Sequence, residues 1–221
     1  MRYVVLTSGR AILSLFAGLL LIPGMSNAAP EPSYVMDPDI WQLDLTIHAH
    51  PKLMNIRLPG EMKSRNYWYF PYKVSNPSNQ DVQFFPQFEI LTDNLTQTYS
   101  ERDVGPEVFS ILRERYQTLF PLLESQKQVR SRILQGVDHA RDSVAIFADF
   151  DSSARSVKLF VSGLSNEVVF VPHPIEIDEL TGKPKEVLLR KTLMLEYEVV
   201  GDEINLQDRV LLFRKRSWIM R

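Results

Sequence analysis

The chain contains no cysteine among its 221 residues. That absence excludes disulfides, thiolate nucleophiles, Cys-ligated zinc, iron–sulfur clusters and a lipid-anchored N-terminal cysteine. It also lacks a charge excess, with 25 basic residues against 27 acidic ones, so the electrostatic footprint of a nucleic-acid binder is missing. No glycine-rich phosphate loop occurs. No nucleophile elbow occurs either: Val161, Ser162, Gly163, Leu164 and Ser165 fall in the wrong order for one. Beyond residue 28, no stretch approaches 18 uncharged apolar residues, which excludes a transmembrane helix in the mature chain. What remains is the composition of a globular protein, 44% hydrophobic and 24% charged, with 14 prolines and 9 glycines.

The first 28 residues stand apart. Arg2 and Arg10 are their only charges, an apolar stretch runs from Ala11 to Ile22, Pro23 and Gly24 break it, and Ser26, Asn27 and Ala28 supply small residues before Ala29. This is the layout of a secretory signal peptide cleaved after Ala28, and its apolar core is too short to span a ~30 Å hydrocarbon layer. The expected location is the periplasm or the exterior. Removing Arg2 and Arg10 takes the net charge from −2 to −4. Residues 29–39, with Pro30, Pro32 and Pro38, read as an extended leader.

From Ile40 the dominant period is two. Trp41, Leu43, Leu45 and Ile47 alternate with Gln42, Asp44, Thr46 and His48. Pro51 to Gly60 reads as a loop or weak strand. Trp68, Phe70, Tyr72 and Val74 share one face of a strand over Tyr67 to Ser75, where Pro71 favours an edge or a bulge. A turn at Asn76 to Asn79 leads to Val82–Thr92, and the two strands are expected to form a hairpin. The period then becomes helical. Gly105, Pro106 and Glu107 supply start signals, and Val108, Ile111, Leu112, Tyr116 and Leu119 form a stripe of about four turns ending at Pro121. Glu124 to Arg132 fits a short helix or a loop.

Gly136 to Asp142 looks like a turn, followed by strands at Ser143–Phe150, Val157–Ser162 and a short Val168–Val171 ended by Pro172 and Pro174. Val187–Val200 is the longest strand, with Leu189, Leu193, Leu195, Tyr197 and Val199 inward. Val210–Met220 closes the chain, with Leu211, Phe213 and Ile219 expected inward and Arg214, Arg216 and Trp218 outward. About eight strands and one helix without βαβ alternation point to two antiparallel sheets packed face to face. The expectation is one mainly β domain, 40–221, an antiparallel β-sandwich with a helical insertion at about 105–132.

The text from Tyr67 to Pro77, the block Ser143 to Phe147 and the run Val157 to Asn166 resemble uncharacterised exported bacterial proteins with an immunoglobulin-like β-sandwich. In such modules a strand ending in Val-x-Asn, here Val74 to Asn76, precedes a turn, and Ile-x-x-Gly, here Ile133 to Gly136, precedes an apolar strand. The resemblance implies the fold and brings no activity or functional residue with it.

Chemistry-bearing constellations are few. His48 and His50 lie at i and i+2 on a strand with Asp44 on the same face, so both imidazoles could reach one metal. A third ligand would have to come from elsewhere, with His173 and Asp178 the available side chains. The plain alternative is two exposed histidines at a strand end. Glu196 and Glu198 share a strand face, as a paired-carboxylate enzyme needs, although such a pair is ordinarily just solvated. Arg214, Lys215 and Arg216 read as edge protection or as an anionic contact. Tyr67 and Tyr69, opposite the core face of their strand, are either covered by the helix or free to stack on a ligand. The reading that follows is an exported binding or structural module, not a catalyst, without cofactor or resident metal. It meets a protein or envelope polymer through a sheet face or edge. The alternatives are a metal-dependent hydrolase using His48 and His50, and an exported inhibitor or chaperone.

Overall fold

The computed structural model describes residues 40–48, 51–201 and 209–221. The expected signal peptide, the leader and His50 lie outside them. Twelve strands and two helices occur among the described residues: β1 Asp44–Ile47, β2 Lys52–Ile56, β3 Arg65–Asn76, β4 Val82–Gln83, β5 Gln87–Thr92, β6 Gln97–Tyr99, α1 Pro106–Tyr116, α2 Gln126–Val129, β7 Arg132–Ile133, β8 Gly136–Ala148, β9 Ser156–Ser162, β10 Val168–Ile177, β11 Pro184–Val200 and β12 Val210–Met220. The protein is mainly β, and every strand pairing is antiparallel. No described helix is long and apolar enough to cross a membrane.

Ten strands form one hydrogen-bonded path, β1–β3–β2–β12–β11–β9–β5–β6, with β8 on β3 and β10 on β11. The path is thin at one point. Between β2 and β12 the only paired residues are Lys52 and Val210. On either side of this joint lies a limb, one built on β3 and one on β11. Trp68, Phe70, Tyr72, Ala145 and Phe147 from the first bury against Phe88, Ile90, Leu159, Val161, Leu193 and Leu195 from the second in one core cluster. The two-residue alternation read from the sequence generates this burial directly, because successive strand side chains point to opposite faces. The aromatic pairs Phe70–Phe147 and Phe70–Tyr197 meet edge to face at 5.4 and 5.9 Å.

The outer face of the first limb carries a second cluster. Val108 and Leu112 of α1 bury against Met54, Ile56, Tyr67, Tyr69, Val144 and Ile146. Tyr67 is 2% and Tyr69 4% exposed, so the helix covers both tyrosines. The helical stripe needed an apolar partner and these rings supply it. The stripe is shorter than the sequence suggests. α1 ends at Tyr116, about three turns, and Leu119 is 65% exposed in the turn beyond. α2 exists as a single turn held by a capping box between Ser125 and Gln128.

Several strand expectations are corrected. β3 and the Val82–Thr92 segment form no hairpin: β5 pairs with β6 and β9, while β4 pairs with β7. The cause is Asn76. Its carboxamide donates to the Gln80 and Ile133 carbonyls at 2.8 and 3.1 Å and accepts from the Ser78 amide, pulling the chain off β3 toward β7. Pro71 sits inside the first limb, buried, with β8 on one side and β1 and β2 on the other. Its carbonyl accepts from His48 N at 2.9 Å, so its missing N–H points to the place where β1 gives way to β2, an interruption where no ladder bond is lost.

Residues 136–142 are strand rather than turn, because β8 continues along β3 through Arg141–Val74 and Asp142–Lys73. β10 runs through Pro172 and Pro174 to Ile177, since only its β11 side is paired. In β12 a register shift opposite Glu196 and Tyr197 leaves Arg214 unpaired, and the alternation inverts beyond it. Arg216 and Trp218 therefore stand opposite core-facing Leu195 and Leu193, and Ile219 is turned to the other side.

Candidate functional site

The residues singled out by sequence do not converge. His48 Nε2 bonds Asp142 Oδ1 at 2.8 Å, and the ring rests against Phe120 at 5.0 Å. His173 and Asp178 belong to the β10–β11 hairpin. His173 Nδ1 accepts from the Ile175 and Glu176 amides at 3.2 and 2.7 Å. The Asp178 carboxylate accepts from the Thr181 amide and hydroxyl and the Leu180 amide, which hold its pKa below the usual 3.8. Both side chains complete local turns. Among the described residues no group of three His, Asp or Glu side chains is placed to hold a metal ion.

The remaining polar motifs are also structural. Glu198 pairs with Arg214 across β11 and β12. Gly163 has φ +85°, and an added Cβ would collide with the Phe85 carbonyl. Leu164 is buried in the core and its carbonyl accepts the Leu43 amide at 2.7 Å, while Ser165 Oγ donates to the Trp41 carbonyl. The Ser162–Ser165 stretch thus anchors the chain entering β1. It positions no nucleophile.

A site that motif reading missed lies where the two limbs part. Among the described residues β1 pairs with β3 alone, and beyond the Lys52–Val210 bridge β1 and β12 are not joined backbone to backbone. Between them is a cleft of about 560 Å³, lined among the described residues by Leu45, Ile47, His48, Pro51, Lys52, Leu195, Tyr197, Phe213 and Arg216, with Thr46. The floor is apolar. Leu45, Leu195 and Tyr197 are buried, whereas Phe213 is 47% exposed and meets the Tyr197 ring edge-on at 5.8 Å. Burial pushes the Tyr197 phenol far above its ordinary range, so the floor carries no charge at any physiological pH.

Backbone alternation gives the cleft walls their chemistry. N–H and C=O of one strand residue point the same way in an antiparallel ladder, and successive residues alternate. His48 N–H bonds Pro71 on β3, so Leu45 and Ile47 turn their backbone groups to the opposite side, into the cleft. The Leu45 carbonyl is met there by a side chain, Arg216 Nη1 at 3.1 Å. On the facing wall Arg221 exchanges backbone bonds with Arg190 of β11, which turns the backbone of Trp218 and Arg216 away from β11. The bulge at Arg214 produces this arrangement by bringing Phe213 and Arg216 to one face. The sequence signal for it is Lys215 and Ser217, polar residues at positions that an unbroken alternation from Leu211 and Phe213 would assign to the core.

No family model, curated protein or solved structure matches the chain.

Proposed function

We propose that the chain is an exported, non-catalytic binding module of the periplasm or cell envelope. Its antiparallel limbs form an immunoglobulin-like sandwich, and it engages its partner through the β1–β12 cleft. The observation that supports this reading is the cleft itself: an apolar floor between two strand edges, in a fold whose other conspicuous polar side chains are consumed by turns and ion pairs. A pocket of this size and character, apolar with a few convergent polar groups, is the usual form of a binding site. The nearest thing to a catalytic pair, His48 with Asp142, has no nucleophile in hydrogen-bond contact among the described residues.

The test is site-specific photo-crosslinking in cells that export the full chain. A photo-reactive residue at Phe213 should yield a discrete adduct, and one at Leu95, 79% exposed in the turn between β5 and β6, should yield none. Equal labelling from both sites would refute the assignment. Stoichiometric zinc in the purified protein, lost in a His48→Ala/His50→Ala variant, would instead favour the hydrolase.

A further inference from the structure

We infer that the cleft accepts an extended acidic peptide segment as an added strand on the free edge of β1. This deepens the binding reading above, rests on it, and names the ligand class. The edge of β1 differs from those of β8 and β10. The outer side of β8 is capped by backbone bonds from Glu101 to the Ile146 carbonyl and from Glu124 to the Asp142 carbonyl, each 3.0 Å. β10 carries Pro172 and Pro174, which lack the donors an added strand would need. Among the described residues β1 has neither protection. It offers the Leu45 and Ile47 backbone groups, one of which is met only by the movable Arg216 side chain.

Strand addition obtains its affinity from main-chain bonds and its selectivity from pockets for alternate side chains. A strand on β1 would set every second side chain onto the floor of Leu45, Ile47, Leu195, Tyr197 and Phe213. β1 has 4 residues, so the matched length is roughly 13 Å. Charge chooses among such strands. Lys52 and Arg216 line the cleft and no acid does so among the described residues, against a chain whose net charge is −2. Lys52 has no ion-pair partner among the described residues, and the Arg216 guanidinium is spent on a neutral carbonyl. A carboxylate on the guest face turned away from the floor would meet Lys52, and the Leu45 carbonyl would pass from Arg216 to a backbone N–H of the guest.

The probes are a short capped peptide alternating valine with glutamate, its valine–lysine counterpart, and the glutamate peptide N-methylated on alternate amides in each of the two registers. Each is titrated calorimetrically against the purified exported chain at low salt. The glutamate peptide should bind about tenfold more tightly than the lysine one, the scale of one charge-assisted contact. One N-methylated register should lose binding. Lys52→Glu, at an exposed side chain, should erase the charge preference without moving the urea midpoint. Amide exchange at Leu45 and Ile47 should slow only with the peptides that bind. Equal affinity for all four peptides overturns the inference. So does an absence of peptide binding when the Phe213 crosslink succeeds, and that result leaves the binding reading standing. Stable self-association through β1 that no peptide displaces would assign the edge to a second copy and overturn it too.

Discussion

Replacing Tyr67 with alanine removes a ring held between α1 and the face of β2, β3 and β8, and it separates a covered face from a recognition face. Tyr67 is 2% exposed and lies in the cluster with Val108, Leu112, Met54 and Ile146. Truncating a buried aromatic costs about 3–5 kcal/mol, from lost transfer free energy and the cavity that remains. For a domain of this size each kcal/mol is worth roughly 2–4 °C, so the melting temperature should fall by roughly 6–20 °C. Urea unfolding followed by intrinsic fluorescence is the direct assay, and an unchanged slope would show that stability and not the denatured state had moved. Tyr69→Phe is the companion. It keeps the ring and deletes only the hydroxyl that bonds the Tyr116 hydroxyl, so the loss should be about 0.5–1.5 kcal/mol. Burial, reinforced by Tyr116, pushes the Tyr69 phenol well above its ordinary value, so the difference between Tyr69→Phe and the parent should not vary across neutral pH. A Tyr67→Ala protein that unfolds at the parent urea concentration would refute the covering role of α1.

Two further outcomes follow from local geometry. Gly163→Ala should destabilise by about 1–3 kcal/mol through its φ of +85°, and further through the clash with the Phe85 carbonyl; differential scanning calorimetry would show it, and a neutral result would contradict the geometry. The Asp178 turn should be pH-sensitive in a definite direction. Its carboxyl is held below 3.8 by the bonds from Thr181 and Leu180, so its contribution is present above the unfolded pKa and lost as pH falls through the lower folded one. Exchange of the Thr181 amide should therefore accelerate only in strong acid, and in Asp178→Ala it should be fast throughout.

Much of the fold was legible because strand alternation is a local property. Trp68, Phe70, Tyr72 and Val74 face the core as their spacing requires, and the Gly105–Glu107 signals start α1 at Pro106. The covering of Tyr67 and Tyr69 was legible as one of two outcomes, decided by the need of the α1 stripe for a partner. The hairpin was not legible, because nothing in the Asn76–Asn79 turn chemistry says whether the buried carboxamide will reach Gln80 and Ile133 instead of letting the strand return. The cleft was less legible still. Its walls are residues far apart in the chain, such as Leu45 and Arg216, 171 positions apart, and the inversion that puts Arg216 and Phe213 on one side depends on a single unpaired residue.

The amino-acid order by itself settled the preponderance of strand, the position of α1 and which side chains of each strand are apolar, since these depend on neighbours two to four positions away. Which strands lie side by side, where β12 skips a residue and which edge stays open were decided only when the two limbs packed on one another. Pairing partners are chosen by the fit of distant surfaces, and a gap between strands has no local sequence of its own.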